Sequence, residues 1–306
     1  MDLQDRARGM LLGLACGDAM GAAVEFKPRG SFPVVTGMQG GGKFRVEPGE
    51  WTDDTSMALC LADSLLACEG FNATDQMRRY KRWIDTGYRS CKPHPIGIGK
   101  NILQSMMRFH KSGEPFAGID DPRSAGNGAL MRLAPIPLFY ANDLSDTCHF
   151  AIESTRTTHG AAECLAASEL FAELLHQALH GNLTKKTPAL TKVKETWPSQ
   201  ICQLAQGDFL SKTYEDIRGT GYVVASLEAA LWCWWHAKDY QEAVLLAVNL
   251  GDDADTTAAI CGQLAGAYWG ASTIPAPWTG QLAMSDEISA LAKSLITFSF
   301  QTVEET

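Results

Sequence analysis

The chain has 306 residues, 45% of them hydrophobic, enough to bury a large core in one domain or two. Its 26 Lys and Arg stand against 35 Asp and Glu, a formal charge of -9, which disfavours general nucleic-acid backbone binding and suits a concave acidic patch that holds metal ions. No run reaches the ~18 apolar residues of a membrane span, no signal peptide is recognisable, and nine scattered cysteines form no CxxC pair, so a cytoplasmic protein whose thiols are inert and mostly buried is expected.

Residues 5–24 predict a helix with Ala7, Met10, Leu11, Leu14, Ala15 and Ala19 on one face. Along it Gly13, Gly17 and Gly21 recur every four residues, a pattern for close helix packing or close approach to a ligand. Residues 28–49 are rich in Gly and Pro and carry no regular element. That loop runs into WTDDTSMAL, where Thr52, Asp53 or Asp54 can cap a helix continuing to about Cys68. Further helices are predicted over 73–85, 99–111, 128–140, 144–156, 160–179, 221–235, 239–250, 256–270 and 285–297. Strand-like alternation is nearly absent and no fixed-period repeat occurs, so the expected class is all-α, one compact domain over residues 1–306. Trp232, Trp234 and Trp235 share a helical stretch and read as packing residues. The lysine-rich stretch 181–198 reads as a surface excursion, because the acidic motifs on its two sides look like halves of one site.

Those motifs are Thr52, Asp53 and Asp54, and Asp252, Asp253, Asp255 and Thr256, each opening an apolar helix. Carboxylates at a helix start meet free N–H groups and the positive end of the dipole, so simple capping is one reading. Capping needs one oxygen, whereas several carboxylates in one turn repel unless a cation compensates. Hard divalent ions of the Mg²⁺ or Mn²⁺ type take carboxylate, hydroxyl and water oxygens, the set these motifs offer. Glu25, between a Gly/Ala-rich helix and the Gly/Pro loop, is the third acid of interest.

Two Gly-rich strings, Ser124-Ala125-Gly126-Asn127-Gly128 and Arg218-Gly219-Thr220-Gly221-Tyr222, precede apolar helices and present backbone N–H groups suited to an anion or to an ordinary loop junction. Neither is a P-loop or a dinucleotide fingerprint. His159, in a Thr-Thr-His-Gly string, precedes another helix, where a histidine serves as a cap, a surface group or a catalyst.

Taken in order, DRARGMLLGLACGDAMGAAVEF, GGGKF, PGEWTDDTSMAL, AGNGALMR, TTHG, GYVVASLEAALW and GDDADTTAAICGQLAGAYWG resemble the ADP-ribosylglycohydrolase family, of the dinitrogenase-reductase-activating type, nearly end to end. The resemblance implies an all-α fold with two divalent ions, Mg²⁺ or Mn²⁺, at the bottom of an ADP-ribose cleft. It places the metal ligands on Thr52, Asp53, Asp54, Asp253, Asp255 and Thr256, and catalytic roles on Glu25, Asp53 and Asp255. Gly126, Asn127 and Gly128 match a ribose- and diphosphate-contacting loop, His159 a cleft histidine, and Gly221 and Tyr222 a position near the adenine. The implied activity is hydrolysis of the N-glycosidic bond of ADP-ribosylated arginine, on a protein or a small ADP-ribosyl substrate. Serine-linked or O-acetyl substrates, or ADP-ribose binding without catalysis, are the alternatives. Asp120 or Asp121 stands where relatives carry a further acid and would supply an acidic rim, while Arg123 and Ser124 alter that rim.

Overall fold

The computed structural model describes residues 1–304, and they form an all-helical single domain. The helices are α1 (Leu3–Gly21), α2 (Asp53–Cys68), α3 (Ala73–Thr86), α4 (Lys100–Ser112), α5 (Pro135–Phe139), α6 (Leu144–Arg156) and α7 (Ala162–Leu179). They continue as α8 (Ser199–Gln206), α9 (Val223–His236), α10 (Tyr240–Val248), α11 (Ala254–Trp269), α12 (Ala276–Gln281) and α13 (Ser285–Glu304). Among the described residues β-pairing is confined to three isolated bridges.

The centre is α1 against α11. Every residue of α1 from Gly9 to Gly21, and of α11 from Ala254 to Ala267, is buried, as expected of helices enclosed on all sides. What lets them meet so closely is a stripe of glycines. A Cβ at Gly9 would lie 2.1 Å from the Gly266 carbonyl oxygen, at Gly13 2.2 Å from that of Gly262, and at Gly17 2.1 Å from that of Ala258. At Gly21 it would meet the Asp255 backbone at 2.4 Å. The four-residue spacing therefore serves backbone-to-backbone packing, and it brings the C-terminal end of α1 onto the N-terminal end of α11. Helices α9, α10 and α13 pack around this pair, and α7 joins α6, α9 and α11.

One predicted helix is corrected. Residues 128–134 are turns, and only Pro135–Phe139 is helical. Pro135 and Pro137 lack the N–H groups that would carry an i→i−4 ladder from the preceding segment. Helices α8 and α12 have no counterpart among the predicted elements; both are short. The 181–198 stretch is an anchored excursion: Leu183, Leu190 and Trp197 are buried, and Trp197 Nε1 donates to Glu169 at 2.5 Å. Lys185 Nζ donates to the Trp234 and Ala237 carbonyls at the end of α9 at 2.6 and 2.8 Å and lies over the Trp234 and Trp269 rings.

Candidate metal centre and substrate cleft

Three helix ends converge on one floor: the end of α1 with Asp18 and Glu25, the start of α2 with Thr52–Asp54, and the start of α11 with Asp253–Thr256. Asp18 is fully buried. Its Oδ1 accepts from the Thr52 N–H and hydroxyl at 2.9 and 2.8 Å, and its Oδ2 from the Thr55 N–H and hydroxyl at 3.0 and 2.7 Å. An acid from α1 thus satisfies the free N–H groups at the start of α2, work that Thr52, at the N-cap position, does not do with its own side chain. Asp253, at the N-cap position of α11, likewise makes no capping bond and accepts instead from Asn127 Nδ2 at 2.7 Å.

Capping accounts for only part of the cluster: Asp255 Oδ1 accepts the Thr256 N–H at 2.8 Å, whereas Asp253 caps nothing, and the local chemistry fits a cation. The Thr52 hydroxyl has one proton and gives it to Asp18 at its shortest contact. Its lone pairs then face Asp54 Oδ2 at 3.3 Å and Asp255 Oδ2 at 3.5 Å, an all-oxygen convergence to which the hydroxyl brings no further proton. Two buried carboxylate oxygens, Glu25 Oε2 and Asp54 Oδ1, have no hydrogen-bond partner among the described residues. Ligand atoms of Asp18, Asp54 and Asp255 form one group within 4.8 Å of one another, and those of Glu25, Asp253 and Asp255 form a second, so Asp255 belongs to both. Both oxygens of Asp18 already accept hydrogen bonds, which makes it the scaffold of its group.

Electrostatics says the same. Burial, more than anything else, raises the carboxyls of Asp18, Asp53, Asp54, Asp253, Asp255 and Glu25, and repulsion from neighbouring carboxylates adds to it for Glu25, Asp53, Asp54, Asp253 and Asp255. Glu25 is pushed up to about 8 and Asp53 to about 7. Without a cation the cluster holds protons near neutrality. Two Asp/Glu clusters capable of coordinating divalent ions are therefore present.

Above this floor opens a cavity of about 690 Å³. The two Gly-rich strings build one wall by pairing with each other: Asn127 N–H donates to the Gly221 carbonyl at 3.2 Å and Val223 N–H to that of Ala125 at 3.0 Å. His159, 2% exposed, stands beside Gly126 and Gly128. Tyr222 is exposed at the mouth, its hydroxyl bonded to Glu163 at 2.9 Å. On the other side Glu25 leads into Phe26, held at φ 64° by hydrogen bonds between the Phe26 and Lys27 backbone and Asp252, itself at φ 55°. Left-handed backbone at two non-glycine residues is local strain beside the acids. Lys43 lies 4.3 Å over the Phe26 ring.

Glu25, Asp53, Gly126, Asn127, Gly128, His159, Gly221, Tyr222, Asp253, Asp255 and Thr256 all line the cavity, so residues as far apart as 25 and 256 come together. Thr52 and Asp54 lie beneath its floor, 0% and 1% exposed. The expected acidic rim is corrected. Asp120 and Asp121 are not in the lining, Asp121 pairs with Arg123, and the lining carries Lys43, Lys100 and Arg123. A cationic rim above an acidic floor suits a diphosphate whose far end reaches metal ions. No cysteine lines the cavity. Sequence reasoning missed Asp18, whose signal was available as the one acid inside the apolar run 10–24.

Comparison with known proteins places this architecture. The chain is 38% identical over 291 residues to ADP-ribosylarginine hydrolase Tri1 of Serratia proteamaculans (strain 568), covering 95% of this chain and 79% of the relative. It is 41% identical to ADP-ribosylarginine hydrolase Tri1 of Pseudomonas putida (strain GB-1), over 95% of this chain and 78% of that one. A solved structure described as an ADP-ribosylglycohydrolase-related protein complex superposes with a TM-score of 0.87 at 44% identity, covering 98% of this chain and 99% of the other. The family model for ADP-ribosylglycohydrolase matches residues 1–303, and with that match the chain belongs to the ADP-ribosylglycohydrolase family as a metal-using hydrolase.

Proposed function

We propose that the protein hydrolyses the N-glycosidic bond between ADP-ribose and the guanidinium of a modified arginine, using two divalent ions, Mg²⁺ or Mn²⁺. The observation that carries this reading is the pair of acidic groups sharing Asp255 at the bottom of a cavity with a cationic rim. The arginine preference is supported by the relatives at 38% and 41% identity, both named ADP-ribosylarginine hydrolases.

Thr52, Asp53, Asp54, Asp253, Asp255 and Thr256 would hold the ions, which supply Lewis-acid polarisation of substrate and water oxygens when bound. The Gly126-Asn127-Gly128 loop and His159 seat the ribosyl diphosphate, with Lys43, Lys100 and Arg123 meeting its charge at the rim, while Gly221 and Tyr222 wall the adenine end. Glu25, with one oxygen free of protein partners, takes a proton from the attacking water. The water oxygen bonds to ribose C1, the C1–N bond breaks, and the proton ends on the departing guanidine. ADP-ribose and arginine are the products.

Arginine-linked, serine-linked and O-acetyl ADP-ribose, each supplied with Mg²⁺ and with Mn²⁺, test the reading by kcat/KM. Arginine-linked substrate should lead. A serine or O-acetyl preference would overturn the leaving-group assignment, and ADP-ribose binding without turnover of any of the three would overturn catalysis.

A further inference from the structure

Arg132 is 1% exposed, and no carboxylate pairs with it among the described residues. Its Nη1 donates to the Gly128 carbonyl at 3.1 Å, and its Nη2 to the Thr158 hydroxyl oxygen at 2.7 Å and the Ser154 carbonyl at 3.4 Å. The guanidinium faces the Tyr80 ring at 4.9 Å. A buried cation without an acid is costly to keep, and this one sits directly behind the cleft loop and the cleft histidine.

The link to the histidine is Thr158. Its Oγ1 lies 2.8 Å from His159 Nδ1. A guanidinium only donates, so the Thr158 oxygen accepts from Arg132, and the hydroxyl proton has one acceptor within reach, Nδ1 of His159. Were Nδ1 the donor instead, that hydroxyl proton would be buried with no acceptor, an arrangement proteins avoid. The imidazole proton therefore sits on Nε2. Nε2 makes no hydrogen bond to the described residues, and it faces the Gly-rich wall closely enough that a Cβ at Gly128 would come within 3.2 Å of it. Burial, with the Arg132 charge adding to it, pushes the imidazole down to about 3, so the ring is neutral in use.

We propose that Thr158, oriented by Arg132, is a positioning residue that locks His159 as the Nε2–H tautomer, so that the ring presents one neutral donor to an acceptor oxygen of the ADP-ribosyl group. The proposal rests on the ADP-ribose reading above for the identity of the ligand, and on hydroxyl bookkeeping for the tautomer. A neutral donor grips an oxygen without adding positive charge beside the acids that hold cations.

The test uses the full chain with Mg²⁺, labelled with ¹⁵N-histidine. The His159 ring of the wild type should show a protonated Nε2 and an unprotonated Nδ1 at pH 7. Thr158→Val, close in shape and lacking the hydroxyl, should let the ring sample both tautomers and raise the Kd for ADP-ribose about tenfold by calorimetry. Thr158→Ser should restore both. A wild-type ring protonated at Nδ1, or a Thr158→Val protein with unchanged tautomer and Kd, would overturn the proposal. Wild-type protein that fails to bind ADP-ribose would overturn the substrate reading alone, because the ring spectrum is read without ligand.

Discussion

The Asp18 carboxylate takes both the backbone N–H and the hydroxyl of Thr52, so a residue in the interior of α1 sets the start of α2 and the direction in which the Thr52 lone pairs point. Asp18→Asn keeps the volume but offers an NH₂ where the Thr52 and Thr55 donors need an acceptor. Isothermal titration should show Mn²⁺ affinity falling at least tenfold, with turnover falling in parallel and folding stability by about 2 kcal/mol. Loss of stability with metal affinity intact would reduce Asp18 to a helix-capping group.

Glu25→Gln removes the carboxylate proposed to move the proton and leaves the shape of the cleft. We expect kcat on arginine-linked substrate to drop by about 10²–10⁴, with ADP-ribose affinity within a few-fold of wild type. Single-turnover kinetics distinguishes this from a binding defect. Retention of kcat would place proton transfer elsewhere.

The raised carboxyls make metal-free stability depend on pH in a definite direction. A group whose pKa is higher folded than unfolded binds more protons in the native state, so folding free energy is lost as pH rises from the unfolded value through the folded one. For Glu25 and Asp53 that window runs from the ordinary carboxyl range to about 8 and about 7. His159, pushed down to about 3, acts with the opposite sign, its contribution complete above its ordinary value near 6.5. Between pH 6.5 and 7.5 the acids therefore dominate: Tm of the chelated protein should fall with rising pH, and millimolar Mg²⁺ or Mn²⁺ should flatten or reverse the slope. Differential scanning calorimetry reads both. A chelated protein with a flat Tm would mean that the acids are compensated without a cation.

Alanine substitution of two glycines should act in opposite senses. At Gly13 the new Cβ would meet the Gly262 carbonyl oxygen at 2.2 Å, and backbone cannot swing aside as a side chain can. Urea unfolding of Gly13→Ala should show a loss of about 1–3 kcal/mol. Gly280, in α12, has nothing within 4 Å of a Cβ, and Gly280→Ala should be neutral or slightly stabilising through reduced unfolded-chain entropy. Equal effects at the two sites would show that α1 and α11 are not in rigid contact.

Most of the helices were legible because apolar residues recur at helical spacing, and the acid motifs because carboxylates crowd into single turns. What escaped was set by pairing across the chain. Asp18 looks like one acid in a small-residue helix until Thr52 and Thr55 are brought onto it. The two Gly-rich strings each resembled an anion loop, and nothing local says that Asn127 and Gly221 will pair. The acidic rim is absent because Asp120 and Asp121 fall outside the cavity lining, a placement that nothing local in the string 120–124 announces. The 128–140 helix failed on its two prolines, a local signal outweighed by the apolar run around them.

The glycine stripe has a consequence for how such an enzyme can change. Because α1 and α11 touch backbone to backbone, the spacing between Asp18 and Asp255 is fixed in the most deeply enclosed part of the protein, where few substitutions fit. The rim comes from other places: Phe26, Lys43 and Tyr222 stand outside the helices, Arg123 is in a single 3-10 turn and Lys100 opens α4, and all five are exposed. Under the proposed reading, the acids that hold the ions and the residues that meet the leaving group therefore stand on separate parts of the fold. Exchanging the rim segments between relatives of different preference should move specificity while the hydrolytic floor carries over unaltered.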